Sequence, residues 1–279
     1  MKLNLHKTSS RLIVIPLLAY TMITVAPFFW TTIMSFRLTP EIDANPYGLP
    51  VPFHIDNYIY AFTKFGFARY VLNSAFVTAI ALAITTLVTT MAAYAFARRR
   101  YSFFLREPLF ILIFISIMFP PQIGLLALFE LMVRYGLYNT LWGLILVYSA
   151  SALPFNIYLL RAFFAQIPQD LEDAARIDGC SDWKMFWRVM LPIARPAVAT
   201  TIVFNFINFW NEFLYAVTFV TQQKARTLPL AVMFFMGEAY LDVGMLAAGL
   251  MVASLPVIIL YLFLSEQFIK GMTAGAIKG

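Results

Sequence analysis

Residues 71–97 read VLNSAFVTAIALAITTLVTTMAAYAFA, an uncharged stretch held between Arg69 and Arg98. About 20 apolar residues in a helix cross the hydrocarbon core of a bilayer, and this run exceeds that length. Its apolar residues are continuous rather than alternating, so it is no barrel strand, and only a helix satisfies its own backbone in lipid. Five further runs share the pattern: Leu12 to Phe36, Pro108 to Phe129, Tyr135 to Leu160, Pro196 to Gln223 (broken only by Glu212) and Val243 to Ser265. The expected fold class is all-α integral membrane, a single transmembrane domain over residues 1–279. Its six transmembrane helices are expected near 12–36, 71–97, 108–130, 140–164, 197–220 and 244–269.

Composition agrees. Of the 279 residues, 61% are hydrophobic and only 12% charged, about half the usual charged share, which excludes an ordinary water-soluble enzyme. Twenty Lys+Arg against 14 Asp+Glu give +6, too few cations for a nucleic-acid surface that works by counterion release. One cysteine, Cys180, allows no internal disulfide, and His6 and His54 have no metal-ligand spacing. The first run is longer than a signal h-region and its far end, Thr31 to Phe36, lacks an A-x-A-like site, so it is expected to remain as an anchor.

Cations set the orientation. With the N-terminus inside, the cytoplasmic segments hold 14 Lys and Arg, among them Arg98, Arg99, Arg100, Arg106, Arg161 and Arg176, against 6 outside. The positive-inside rule then places both termini in the cytoplasm. The external loop from Arg37 to Tyr70, with Pro40, Pro46, Pro50 and Pro52, is expected as turns and extended chain. A second external loop, Thr221 to Asp242, carries a Phe234-Phe235-Met236 cluster. Pro120-Pro121 interrupts the third span, where a kink or half-helix is expected, either beside a substrate path or merely packed against a neighbour.

The cytoplasmic loop 165–195 reads as two short helices. Pro168 suits a first helical position, Asp170, Glu172 and Asp173 favour a helix N-terminus, Arg176 its other end, and Gly179 a left-handed stop. Leu171, Ala174 and Ala175 form a small-residue face that another surface can approach closely. Ser181 is expected to cap a second helix with Trp183, Phe186, Trp187 and Met190 on one stripe, ended by Pro192. A plain interfacial linker would need neither the small face nor the three acids.

Asp173-Ala174-Ala175, three residues, Gly179, nine residues, Val189, one residue and Leu191-Pro192 resembles the EAA loop of permease subunits of ATP-binding-cassette (ABC) importers, E-A-A-x3-G-x9-I-x-L-P. Asp173 stands for Glu and Val189 for Ile, and Glu172 next door leaves open which acid plays the family's acidic role. Asp178-Gly179-Cys180-Ser181, Trp210-Asn211-Glu212-Phe213 and the end from Gly271 to Gly279 look like the carbohydrate branch, relatives of the smaller six-span permease subunit of the maltose transporter.

The resemblance implies the type I importer fold, a place in the bacterial cytoplasmic (inner) membrane, a second related permease subunit, two ATPase subunits and an extracytoplasmic solute-binding protein. The chain lacks G-x-x-x-x-G-K-[ST], so it is no ATPase itself; ATP and Mg would be bound by the partner ATPases, with no cofactor in this chain. Carried over to this sequence, Glu172, Asp173, Ala174, Ala175, Gly179, Leu191 and Pro192 would couple the chain to the ATPases. The last five residues would add a tail contact.

In the fifth span Thr201, Asn205, Asn208 and Glu212 fall on one helical face, and Glu212 is the one ionisable residue deep in any span. With Phe204, Phe209, Trp210, Asn211 and Phe213 alongside, they offer amide, carboxylate and aromatic partners for a hydroxyl-rich ring. The other reading is polar glue between helices. Two rival functions share some of these features. A permease for phosphate, amino acids or peptides would carry the same loop, and an ion-coupled secondary transporter would need paired intramembrane charges where Glu212 stands alone.

Overall fold

The structure is a computed structural model that describes residues 5–98, 104–234 and 242–276, and side chains from 14 to 263 within those ranges. Arg99, Arg100, Phe235, Met236 and the end of the tail, Ile277-Lys278-Gly279, lie outside the described residues. The described residues form helices and no strand. In order they are α1 (Leu5–Ser35), α2 (Thr39–Ala44), α3 (Asp56–Thr63), α4 (Phe67–Ala97), α5 (Arg106–Ser116), α6 (Leu125–Arg134), α7 (Leu141–Gln166), α8 (Asp170–Ile177), α9 (Asp182–Met185), α10 (Leu191–Ile193), α11 (Arg195–Trp210), α12 (Leu214–Phe219), α13 (Leu228–Met233) and α14 (Val243–Ala276).

Four of them, α1, α4, α7 and α14, are long and apolar enough to cross a membrane. Two bent pairs raise the number to six if each is one span: Arg106–Ser116 with Pro121–Arg134, bent by 98°, and Asp182–Ile193 with Arg195–Trp210, bent by 75°. The first bend falls at Pro120-Pro121, where a ring without an N–H cannot continue α5. The fifth apolar run is not one helix. It stops at Trp210 and resumes at Leu214 without any proline or glycine. Asn211 directs its side-chain amide to the Ile207 carbonyl (2.9 Å), which its own backbone N–H also approaches, so side chain and ladder compete for one acceptor.

The chain divides into two compact units. One comprises residues 1–68 with 231–255. In it the expectation of mere turns and extended chain after Arg37 is corrected, because α2 and α3 form there. Pro40 lies in the first turn of α2, where a missing N–H costs nothing. Arg37, 3% exposed, donates to the carbonyls of Glu41 (2.7 Å) and Asn45 (2.9 Å) and so closes the C-terminal end of α2. Buried Asn57 donates to the carbonyls of Ser35 and Arg37 (3.0 and 2.9 Å), relieving the orphan acceptors at the end of α1. The Thr39 hydroxyl donates to Asp242 (2.7 Å), whose carboxylate also receives the Met245 N–H and starts α14.

The other unit comprises residues 69–230 with 256–279. Helix α7 is its axis. Thr140 caps it by accepting the Gly143 N–H (3.0 Å), and Leu144, Ile145, Tyr148, Ile157, Leu160 and Phe164 are buried along it. Near one end α7 shares a core with Val77 and Ala81 of α4, Phe209 of α11, and Ala216 and Phe219 of α12. Near the other it joins Ala93 and Tyr94 of α4, Ala175 of α8, and Met185, Phe186 and Met190.

Candidate functional site

Two places carry the polar chemistry of the second unit. The first is a cavity of about 200 Å³ between α7 and α11, lined by Tyr148, Ser151, Ala152, Phe155, Asn156, Phe204, Asn205, Asn208, Phe209 and Glu212. Asn156 and Asn205, 1% and 3% exposed, bond each other reciprocally at 3.1 and 2.9 Å. Such a pair satisfies two amides that lipid would otherwise leave orphaned. Asn208 is exposed and bonds only its own helix among the described residues, donating to the Phe204 carbonyl (3.0 Å). Its other polar atom is available to the cavity.

Glu212 sits in the break between α11 and α12. Its two carboxylate oxygens accept the backbone N–H groups of Tyr215 (2.7 Å) and Ala216 (3.1 Å), so it caps α12 from inside the sequence of the span. Tyr148, across the cavity on α7, lines it with this carboxylate. Aromatic faces flank the polar groups: Tyr148 stacks on Phe209 (5.7 Å between centroids) and Phe155 lies against Phe204 (5.4 Å).

Of the fifth-span residues singled out in the sequence, the structure brings Asn205, Asn208 and Glu212 to the cavity. Thr201 is buried outside its lining, bonded to the Val198 carbonyl. Trp210 is 3% exposed and stacks on Phe206 (5.8 Å), and Asn211 is turned outward; neither lines the cavity. Sequence reasoning passed over the α7 wall. Polar residues at 148, 149, 151 and 156 within a mostly apolar run were the signal for it.

The second place is the loop after α7. Pro168 stands two residues before α8 rather than in its first turn, and the Gln169 carbonyl receives the first helical bonds from Glu172 and Asp173. Gly179 has φ +77, the Cys180 N–H bonds the Ala175 carbonyl (2.9 Å) and the Gly179 N–H that of Arg176 (2.9 Å), a left-handed Schellman stop. Ser181 accepts the Lys184 N–H at 3.4 Å at the start of α9. From Phe186 to Met190 the helix widens into a π turn, with the Leu191 N–H reaching the Phe186 carbonyl. Pro192 has no N–H to give the usual α acceptor one turn earlier, and the extra residue accommodates it. The expected stripe is divided: Phe186 and Met190 are buried with Met185, while Trp183 and Trp187 are exposed.

The structure also splits the small-residue face. Glu172 and Ala175 are buried in this chain's own core, at 2% and 7% exposure, whereas Leu171, Asp173, Ala174 and Ile177 face outward. Glu172 is held by Arg98 (Nε to Oε1 2.5 Å), with Arg176 further off at 3.8 Å. Of the two acids left open by the sequence, Asp173 is therefore the one on the free face. Leu191 and Pro192 belong to the short helix α10, both half-buried.

Residues 89–273 match the family described as binding-protein-dependent transport system inner membrane component. The chain is 34% identical over 264 residues to the diacetylchitobiose uptake system permease protein NgcG of Streptomyces coelicolor, covering 94% of this chain and 87% of that protein. It is 31% identical over 272 residues to the trehalose/maltose transport system permease protein MalG of Thermococcus litoralis, covering 96% of each. Among solved structures, a chain of a bacterial ABC transporter involved in the import of the acidic polysaccharide alginate superposes with a TM-score of 0.82 at 21% identity, over 96% of this chain and 99% of that one.

Proposed function

The chain belongs to the inner-membrane components of binding-protein-dependent transport systems, and from that membership we infer that it forms half of the translocation path of an ATP-driven importer for a sugar, oligosaccharide or sugar derivative. The carrying observation is the cavity between α7 and α11, where amides, a carboxylate and aromatic faces converge. Hydroxyl-rich rings need that combination: directional hydrogen bonds at their edges and apolar surface against their faces. The named relatives, one for diacetylchitobiose and one for trehalose/maltose, support the carbohydrate class.

In this reading Asn205, Asn208 and Glu212 line the path with Tyr148, Ser151 and Asn156. The outward face of α8, Leu171, Asp173, Ala174 and Ile177, docks on the ATPase subunits, and Gly179 sets the turn that carries its displacement into α9 and α11. A second permease subunit completes the path, two ATPase subunits supply ATP hydrolysis, and an extracytoplasmic solute-binding protein delivers the substrate. The test is uptake by the reconstituted complex of labelled maltose, trehalose and diacetylchitobiose beside phosphate, an amino acid and a dipeptide. ATP-dependent import of a carbohydrate alone is expected. Import of only a non-carbohydrate would overturn the substrate class.

The cation count, 14 against 6, supports both termini in the cytoplasm. In a chain whose Cys180 is replaced, cysteines introduced at Asn45 and Gln223 are expected to react with an impermeant maleimide in intact cells, and one at Asp182 to stay unlabelled until the cells are opened. The reverse pattern would invert the orientation.

A further inference from the structure

We propose that Arg98 is a positioning residue for energy coupling: through Glu172 it clasps α8 to the cytoplasmic end of α4, so that a displacement of α8 reaches a span that does not adjoin it along the chain. The proposal rests on the reading of α8 as the ATPase-docking helix, and it concerns the opposite, buried face of that helix.

Connectivity states the problem. Helix α8 follows α7 directly and runs through α9 into α11, so any push on it reaches those helices along the backbone. Helix α4 ends at Ala97, and Arg98 stands 69 residues before Ile167, so α4 follows α8 only if side chains bind the two together. The apolar contact between them is real: Ala93 and Tyr94 of α4 share a core with Phe164, Ala175 and Phe186. Apolar contact is non-directional, however, and lets one surface slide on another.

Arg98 supplies the direction. It is 8% exposed, and its guanidinium meets Glu172, 2% exposed, at 2.5 Å while also donating to the Ile167 carbonyl (3.0 Å). One planar group thus holds the start of the loop, by a hydrogen bond to the Ile167 carbonyl, and the first turn of α8, by an ion pair with Glu172. A second layer extends the grip, since Arg176 lies 3.4 Å from Asp173 and 3.9 Å from Asp182 at the start of α9. A buried ion pair is a poor source of net stability, because desolvation offsets the attraction. Breaking it is nevertheless costly once formed, as either charge left alone is buried without a partner. A contact with those two properties adds little to the fold and much to the rigidity of the joint.

The test separates joint from fold by removing both charges together. In the complete complex in proteoliposomes, Arg98→Met/Glu172→Leu leaves no lone buried charge, and it is expected to assemble, retain the ATPases on co-purification and hydrolyse ATP. The number of substrate molecules imported per ATP should fall about tenfold, within the span of ordinary coupling energies. The exchanged pair, Arg98→Glu/Glu172→Arg, is expected to recover at least a third of the parental ratio, on the ground that the pair's mutual bond rather than either residue is required. Parental import per ATP in the double-neutral variant would overturn the proposal. So would failure of that variant to assemble, since the pair would then be structural, or failure of the exchanged pair to recover. The docking reading is judged apart from this, by whether substitutions on the outward face of α8 release the ATPases.

Discussion

An Ala174→Trp chain is expected to lose its ATPase subunits on purification and to import at about one hundredth of the parental rate, equivalent to about 3 kcal/mol at the docking surface. Ala174 lies on the outward face of α8 between Leu171 and Ile177, the latter 87% exposed. The backbone there can be approached closely, and an indole would hold any partner away. Tryptophan at Ala174 meets nothing of this chain's core, so its fold and thermal stability should be unchanged. The measurement is co-purification of the ATPases with the companion permease as internal standard. Full ATPase recovery with parental uptake would remove α8 from the docking surface. The neighbouring Ala175 makes the opposite control. It is 7% exposed within the α4–α7–α9 core, and Trp at that position would overfill the protein itself.

That contrast shows what the sequence could and could not convey. The acids, alanines and Gly179 were sufficient to read a short helix, its stop and its family. Which alanine faces outward was not, because adjacent helical residues point about 100° apart and an eight-residue helix has too few apolar positions to define its buried side. The answer depends on Arg98, a partner far upstream that no local pattern connects to Glu172. Inside the membrane the limit has a different cause. Lipid is as apolar as a helix interface, so apolar residues do not distinguish a buried face from a lipid-facing one. The axis of the bundle, α7, reads like any other span, and its cavity wall was marked only by Tyr148, Ser151 and Asn156. The bend at Pro120-Pro121 could be read because proline removes a donor. The break after Trp210 could not, because it is made by side chains of Asn211 and Glu212 that bond backbone in place of the ladder.

Glu212 caps α12 and, in the reading proposed above, also lines the path, and substitutions can separate the two. Glu212→Leu removes both acceptors of the Tyr215 and Ala216 N–H groups, each orphaned donor costing about 1–3 kcal/mol where no water replaces the bond. Loss of α12, lower thermal stability and import at background are expected together, and that result reports the cap alone. Asn208→Ala isolates the path, since among the described residues the amide bonds only the Phe204 carbonyl of its own helix, whose acceptor keeps its ladder partner. The variant should melt and assemble like the parent, while import falls about tenfold, the loss of roughly one hydrogen bond to a passing hydroxyl. Glu212→Gln lies between them: an amide oxygen can still accept from α12, so assembly should persist, and the missing charge should slow import. If Asn208→Ala and Glu212→Gln both assemble and import at the parental rate, the cavity between α7 and α11 is not on the path. Its reciprocal Asn156–Asn205 pair then serves only to join two helices, at a worth of about 0.6 kcal/mol per contact.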